Sequence, residues 1–182
     1  MKMYAAVGLA LFVGLLSSGC ASAPKNTRPD WVMKGSGAFQ GEKKTLYGVG
    51  LAENITSEAL RRTTADNRAV AEISRQLSTI STSLMRDYMS SASATEQEKA
   101  SGEQYVENTA KTFTSNTMSG VKIMDRWDDG KVTYSLAALN LDDLQRMADN
   151  VQELSAQVKE HIKANAEKAF DKLEAEQDRN AQ

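Results

Sequence analysis

VKIMDRWDDGKVTYSLAAL, residues 121–139, reads as a β-hairpin. Val121, Ile123, Asp125 and Trp127 fall on one face at the two-residue period of a strand. Asp129-Gly130 is a favoured two-residue type I′ turn. Closing the chain there pairs Asp128 with Lys131, Trp127 with Val132, Asp125 with Tyr134 and Ile123 with Leu136. Opposite charges meet on the first rung and Trp meets a β-branched residue on the second, both favourable cross-strand pairs. The stretch predicts an antiparallel sheet, and what flanks it predicts the layer that covers that sheet.

Upstream, Thr45 to Ala52 (TLYGVGLA) is a second strand, with Tyr47, Val49 and Leu51 on one face and Gly48 and Gly50 on the other. Alternating glycines leave a bare face on which a helix can lie closely. A phosphate-cradling loop is the weaker reading, because Glu53 stands where the third glycine of that pattern belongs. Residues 35–44 suggest a weaker strand and turn. Thr56 or Ser57 caps a long amphipathic helix over 57–89, with Glu58 in its first turn. Leu60, Thr64, Asn67, Val70, Ile73, Leu77, Ile80, Leu84 and Tyr88 form its predicted apolar face. Ser90 to Gly102 (SSASATEQEKASG) predicts a solvated loop. A shorter helix near 103–118 follows, with Val106, Ala110, Phe113 and Thr117 inward and Gly120 as its stop.

Downstream, Asn140 caps a last helix, with Asp143 three residues on. Leu144, Met147, Val151, Leu154 and Val158 follow helical spacing, and the stripe continues through Ile162, Ala166, Phe170 and Leu173. A continuous helix over 141–176 would be about 54 Å long. A body of about 120 residues has a radius of gyration near 14 Å. Such a helix protrudes and needs a partner: a second copy or another envelope protein. The other outcome is that it frays after Glu160. Asn165 and many alanines make a poor coiled-coil seam. The expected fold class is α+β: an antiparallel sheet of three to four strands packed on a long helix, with a long C-terminal helix.

The N-terminus supplies the compartment. Lys2, the apolar run Met3 to Leu16 and the small residues before Cys20 have the parts of an export signal. The apolar run is shorter than the roughly 20 residues a membrane-spanning helix needs. Leu15-Leu16-Ser17-Ser18-Gly19-Cys20 reads as a lipoprotein processing site, cut before Cys20, although Ser17 stands where Leu is usual. Two other fates are open: ordinary secretory cleavage near Ala21 or Ala23, or an uncleaved anchor. Acylation of Cys20 by more than one chain gives stable anchoring. Ala21, with no Asp after the cysteine, points to the outer membrane, facing the periplasm. The expected organisation is a signal peptide at 1–19, a lipidated tether at 20–28, an α+β domain at 29–140 and a C-terminal helix and tail at 141–182. Trp31 and Val32 dock at the start of the folded part.

Removing 19 of the 182 residues leaves 163, with 21 Lys and Arg against 24 Asp and Glu. That mild balance carries no nucleic-acid footprint. With Cys20 acylated no thiol is left for a disulfide, a thiolate metal site or a nucleophile. His161 is the only histidine and has no second ligand nearby in sequence, so no metal site is expected. Asp125, Asp128 and Asp129 cluster near the hairpin tip, where acidic residues commonly serve a solvated turn. No catalytic, cofactor-binding or metal-binding residue is assigned, and Cys20 is the one assigned site, for lipidation.

Pro29-Asp30-Trp31-Val32, Leu46-Tyr47-Gly48-Val49-Gly50-Leu51-Ala52 and Thr133-Tyr134-Ser135-Leu136-Ala137 together resemble the LPP-twenty lipoprotein family, small bacterial envelope lipoproteins with a compact α+β domain. The resemblance covers about 29–140. It implies a non-enzymatic outer-membrane lipoprotein, with flagellum-associated members among its kin, and supports Cys20 as the lipidated residue. The expected function is that of an envelope scaffold or assembly factor. The alternatives are an activator of a cell-wall synthase and, from another class, a periplasmic enzyme.

Overall fold

The hairpin forms, but its register differs from the one its turn dipeptide suggests. The computed structural model describes residues 28–180 apart from Gln40 and Lys43. In it β2 (Lys122–Asp128) and β3 (Val132–Asn140) run antiparallel, with Asp128 opposite Thr133 and Trp127 opposite Tyr134. The turn lies at Gly130 and Lys131, with Gly130 at φ 90°. The Asp129 amide donates to the Val132 carbonyl at 3.2 Å, and the Asp129 carboxylate accepts from the Lys131 and Val132 amides at 2.9 Å each. Aspartate readily bonds the backbone of its own turn, and here that wins over the type I′ geometry. The shift is even, so residues 125–128 keep their faces. A bulge between Ile123 and Asp125 then turns Ile123 toward the other side, where it packs on the core.

β1 (Thr45–Glu53) pairs antiparallel with β3 from Thr45↔Asn140 to Glu53↔Val132, so the strand order is β1-β3-β2. The strand suggested at 35–44 does not form. A 3₁₀ turn (Gly35–Phe39), following directly on α1 (Asp30–Lys34), takes its place. They cover one sheet face: Trp31 and Val32 pack on Leu136, and Phe39 stacks on Tyr47 with centroids 3.9 Å apart. Phe39 gains more by covering a sheet face than as part of a two-glycine edge strand. The sheet therefore has three strands.

α2 (Glu58–Met89) covers the other face. A methyl group on Gly50 would overlap the Ala65 carbonyl and the Ala69 nitrogen, and one on Gly48 would overlap the Ala69 carbonyl. The glycine-faced strand thus takes the helix backbone in direct contact. This closeness also corrects the predicted helix face. Through its first three turns α2 buries Arg61, Ala65 and Ala69, while Leu60 is 57 % exposed. Only alanines fit against the glycines, so the face rotates away from the large apolar residue. From Ile73 onward the buried set is close to the expected one: Ile73, Leu77, Ile80, Leu84 and Tyr88.

The stretch expected as a loop at 90–102 is half helical. α3 (Glu96–Thr117) begins with a capping box, in which Thr95 Oγ1 accepts from the Glu98 amide and the Glu98 carboxylate accepts from the Thr95 amide. Gly102, at φ 54°, kinks it, and beyond the kink Val106, Ala110, Phe113 and Thr117 are buried as expected.

The C-terminal stripe belongs to two helices. α4 (Leu141–Asn150) is capped by Asn140, whose side chain accepts from the Asp143 amide at 2.7 Å. The chain turns at 151–155, Ser155 Oγ accepts from the Val158 amide, and α5 (Ala156–Asn180) runs back along α2. His161 lies by Tyr88 while Leu173 lies by Ile80, so α2 and α5 are antiparallel. Val158, Ile162, Ala166 and Phe170 are buried in the same core as Ile73, Phe113 and Leu144. Neither a continuous helix to 176 nor fraying after Glu160 is seen. The apolar stripe that seemed to need a partner finds it in α2.

Candidate functional site

Cys20, with the signal segment and nearly all of the tether, lies outside the described residues. The chain enters the domain at Arg28. Its guanidinium sits 4.8 Å from the centroid of the Trp127 ring, and its Nη1 is 3.5 Å from Met33 Sδ. Arg28 also draws the Asp129 carboxyl down, although the Lys131 and Val132 amides are the larger causes. Trp31 Nε1 donates to Asp125 at 3.2 Å. The entry corner is thus built from α1 and the β2–β3 hairpin. Met33 projects from it, 68 % exposed.

The three aspartates near the hairpin tip do not converge: Asp125 faces Trp31 on one side of the sheet and Asp128 faces Arg61 on the other, and each of the three has a structural partner. Asp125 holds Trp31 and Asp129 closes the turn. Asp128 accepts from Arg61 Nη2 at 3.2 Å, from the Gly130 amide at 2.6 Å and from the Thr133 hydroxyl. Arg61 is 5 % exposed and also donates to Thr133 Oγ1 at 2.9 Å and to the Ile55 carbonyl at 3.0 Å. The Thr133 hydroxyl, followed by the Gly130 amide and Arg61, holds the Asp128 carboxyl below its ordinary range against burial. One turn along α2, Asp66 accepts from Arg126 Nε at 2.8 Å and Nη2 at 2.9 Å and from Ser135 Oγ at 2.7 Å. Burial pushes Asp66 up, but Arg126 and Ser135 outweigh it and its carboxyl stays low. Two Arg–Asp pairs therefore stitch α2 to the hairpin. Sequence reasoning missed both, because Arg61 and Asp66 lie far from 126–135 and no local spacing links them.

A third cluster closes the α2–α3 junction. Glu98 accepts from Tyr105 Oη at 2.8 Å and Tyr88 Oη at 3.0 Å, as well as from its own cap. Burial, then the Glu98 carboxylate, pushes the Tyr105 hydroxyl up to about 12. A cavity of about 210 Å³ lies where the 3₁₀ turn, β1 and the end of α5 meet. Phe39, Tyr47, Leu46 and Phe170 line it with Lys44 and Glu174. Lys44 pairs with Glu167 at 2.9 Å, and Glu174 accepts from the Gly41 amide at 3.2 Å. The cavity thus offers an apolar floor under a rim of bonded charges.

His161 lies edge-on to Tyr88, with centroids 5.5 Å apart. Its Nε2 is buried without a hydrogen-bond partner. Burial lowers its pKa, with Asp87 and the Leu84 backbone pulling the other way. The folded value lies below the unfolded one. The stability tied to the neutral ring is therefore full above about pH 6.5 and is lost as pH falls below it. Since this is the only histidine, the melting temperature should drop between about pH 7.5 and 5.5, and His161→Gln should flatten that slope. An unchanged slope in the variant would place the titrating group elsewhere.

Among the described residues no three His, Cys, Asp or Glu are grouped to hold a metal ion, and no helix is long and apolar enough to cross a membrane. No protein-family model and no curated protein matches this sequence.

Proposed function

We propose that this chain is an outer-membrane-anchored, non-enzymatic envelope lipoprotein that acts as a scaffold or assembly factor. The observation that carries this is the Leu15–Cys20 stretch that closes a short apolar run, with Cys20 eight residues before Arg28, the first residue the structure describes. The acyl chains on Cys20 hold the chain in lipid, and the domain presents its surface to envelope components. What the ionisable residues do supports a binding module rather than an enzyme. Arg61, Asp66, Glu98, Arg126 and Asp128 are all engaged in joining helices to strands or to each other. A flagellum-associated role is the sharper form of the proposal and comes from the family resemblance alone.

The test is detergent-phase partition of the full chain expressed in its native envelope. Wild type should enter the detergent phase, and Cys20→Ala should stay aqueous at unchanged melting temperature. Identical partition of the two would sink the proposal. Proximity labelling from the C-terminus then separates the roles. Basal-body proteins support motility assembly, and tagged cell-wall synthases support the activator role.

A further inference from the structure

The tether is short compared with the domain it holds. From Cys20 to Arg28 is eight residue steps, which span at most about 28 Å fully extended. A domain of about 150 residues has a radius of gyration near 15 Å, hence roughly 38 Å across as a sphere. A tether shorter than the domain's width cannot let the far side face the bilayer. The point where the chain enters therefore stays within about 28 Å of the lipid, which excludes the pole farthest from it.

That side carries groups suited to a headgroup zone. Met33 is 68 % exposed on α1, and Met124 is 60 % exposed on β2, an edge strand of the sheet. These are two of the three large apolar side chains left exposed among the described residues. Both stand on the elements joined by the Trp31–Asp125 bond and the Arg28–Trp127 contact. Single exposed apolar residues are ordinary on any surface. Here the position of Met33 beside Arg28 is what counts. Trp with its polar edge, and Arg with its long apolar stem, are at home between hydrocarbon and water.

Resting on the lipoprotein reading, we propose that the corner formed by α1 and the β2–β3 hairpin lies against the bilayer, with Met33 entering the headgroup zone of the leaflet that holds the acylated Cys20. The cavity by Phe39 and Tyr47 and the outer surfaces of α3 and α5 then remain for protein partners.

The experiment uses the acylated full chain reconstituted in phosphatidylethanolamine and phosphatidylglycerol vesicles, with a nitroxide on Met33→Cys. The reference is Lys111→Cys on α3, which packs on α2 and not on the sheet. Oxygen should relax the label at 33 more than a water-soluble nickel chelate does, and the order should reverse at 111. Equal, water-like access at both positions, in protein that still partitions into detergent, would overturn the inference and leave the lipoprotein reading intact. Dipolar broadening at 33 would overturn it in favour of a second copy on that corner. Protein that stays aqueous in the detergent test would remove both. As a check without change at 33, brominated lipids should quench the tryptophan emission of the wild-type protein, since Trp31 and Trp127 both stand in that corner. Emission unaffected by the brominated lipid would count against the proposal.

Discussion

Replacing Gly50 with alanine should cost about 3 kcal/mol or more, the upper part of the range for overpacking. The added methyl group would overlap the Ala65 carbonyl oxygen and the Ala69 nitrogen, and would come 2.9 Å from the Arg68 carbonyl carbon. All three are backbone atoms of one continuous helix. No rotamer change relieves the clash, so α2 must move away from the sheet. That movement would loosen the contacts of Ala65 and Ala69, which are fully buried. It would also strain the Arg61–Asp128 and Asp66–Arg126 pairs on the same side. Since small domains are stable by only about 5–15 kcal/mol, the unfolded fraction should become measurable near physiological temperature. Urea unfolding checks this. Gly37→Ala is the matched control, because nothing lies within 4 Å of its added methyl group and its φ is not positive. It should stay within about 0.5 kcal/mol of wild type. Equal, small effects at both positions would mean the helix does not rest on the strand.

The second large effect belongs to the buried arginine. Asp128→Ala should cost about 2–3 kcal/mol. Breaking a fully buried ion pair costs about 3–5 kcal/mol, and the lower figure reflects the Asp128 side chain being 35 % exposed against 6 % for Arg61. The loss comes chiefly from leaving the guanidinium buried with only the Thr133 hydroxyl and the Ile55 carbonyl. Arg61→Met, with a flexible apolar side chain of similar length, removes the stranded charge. The double variant should therefore be more stable than the sum of the two losses requires. Strict additivity in that cycle would show that the pair contributes nothing as a pair. The acid limb has the same origin. Because the Asp128 carboxyl is held low in the fold, its contribution is present above about pH 3.9, the unfolded value, and is lost as pH falls through the folded one. Asp66 and Glu98 share that direction.

Several elements are legible because their signals are local. Gly48 and Gly50 announce a close helix before the helix is identified. Val106, Ala110, Phe113 and Thr117 repeat at helical spacing and are all buried. Asn140 and Asp143 mark a helix start three residues apart. The errors are also physical. Residues 95–98 carry a Thr-x-x-Glu capping box that could have been read; polar composition hid it. The hairpin register turned on whether Asp129 would take a turn position or bond the turn from outside it, two arrangements of similar local energy.

By itself the sequence determined the α+β class, the hairpin and the strand with a bare face, because each depends on residues within a few positions of one another. Tertiary structure decided what α2 turns toward the sheet, that α1 and not a fourth strand covers its open face, and that the C-terminal stripe folds back at 151–155. Those outcomes depend on which distant surface offers the better contact. Leu60 is exposed because alanines alone fit the glycines, and Ile162 and Phe170 are buried because α2 lies within reach of them.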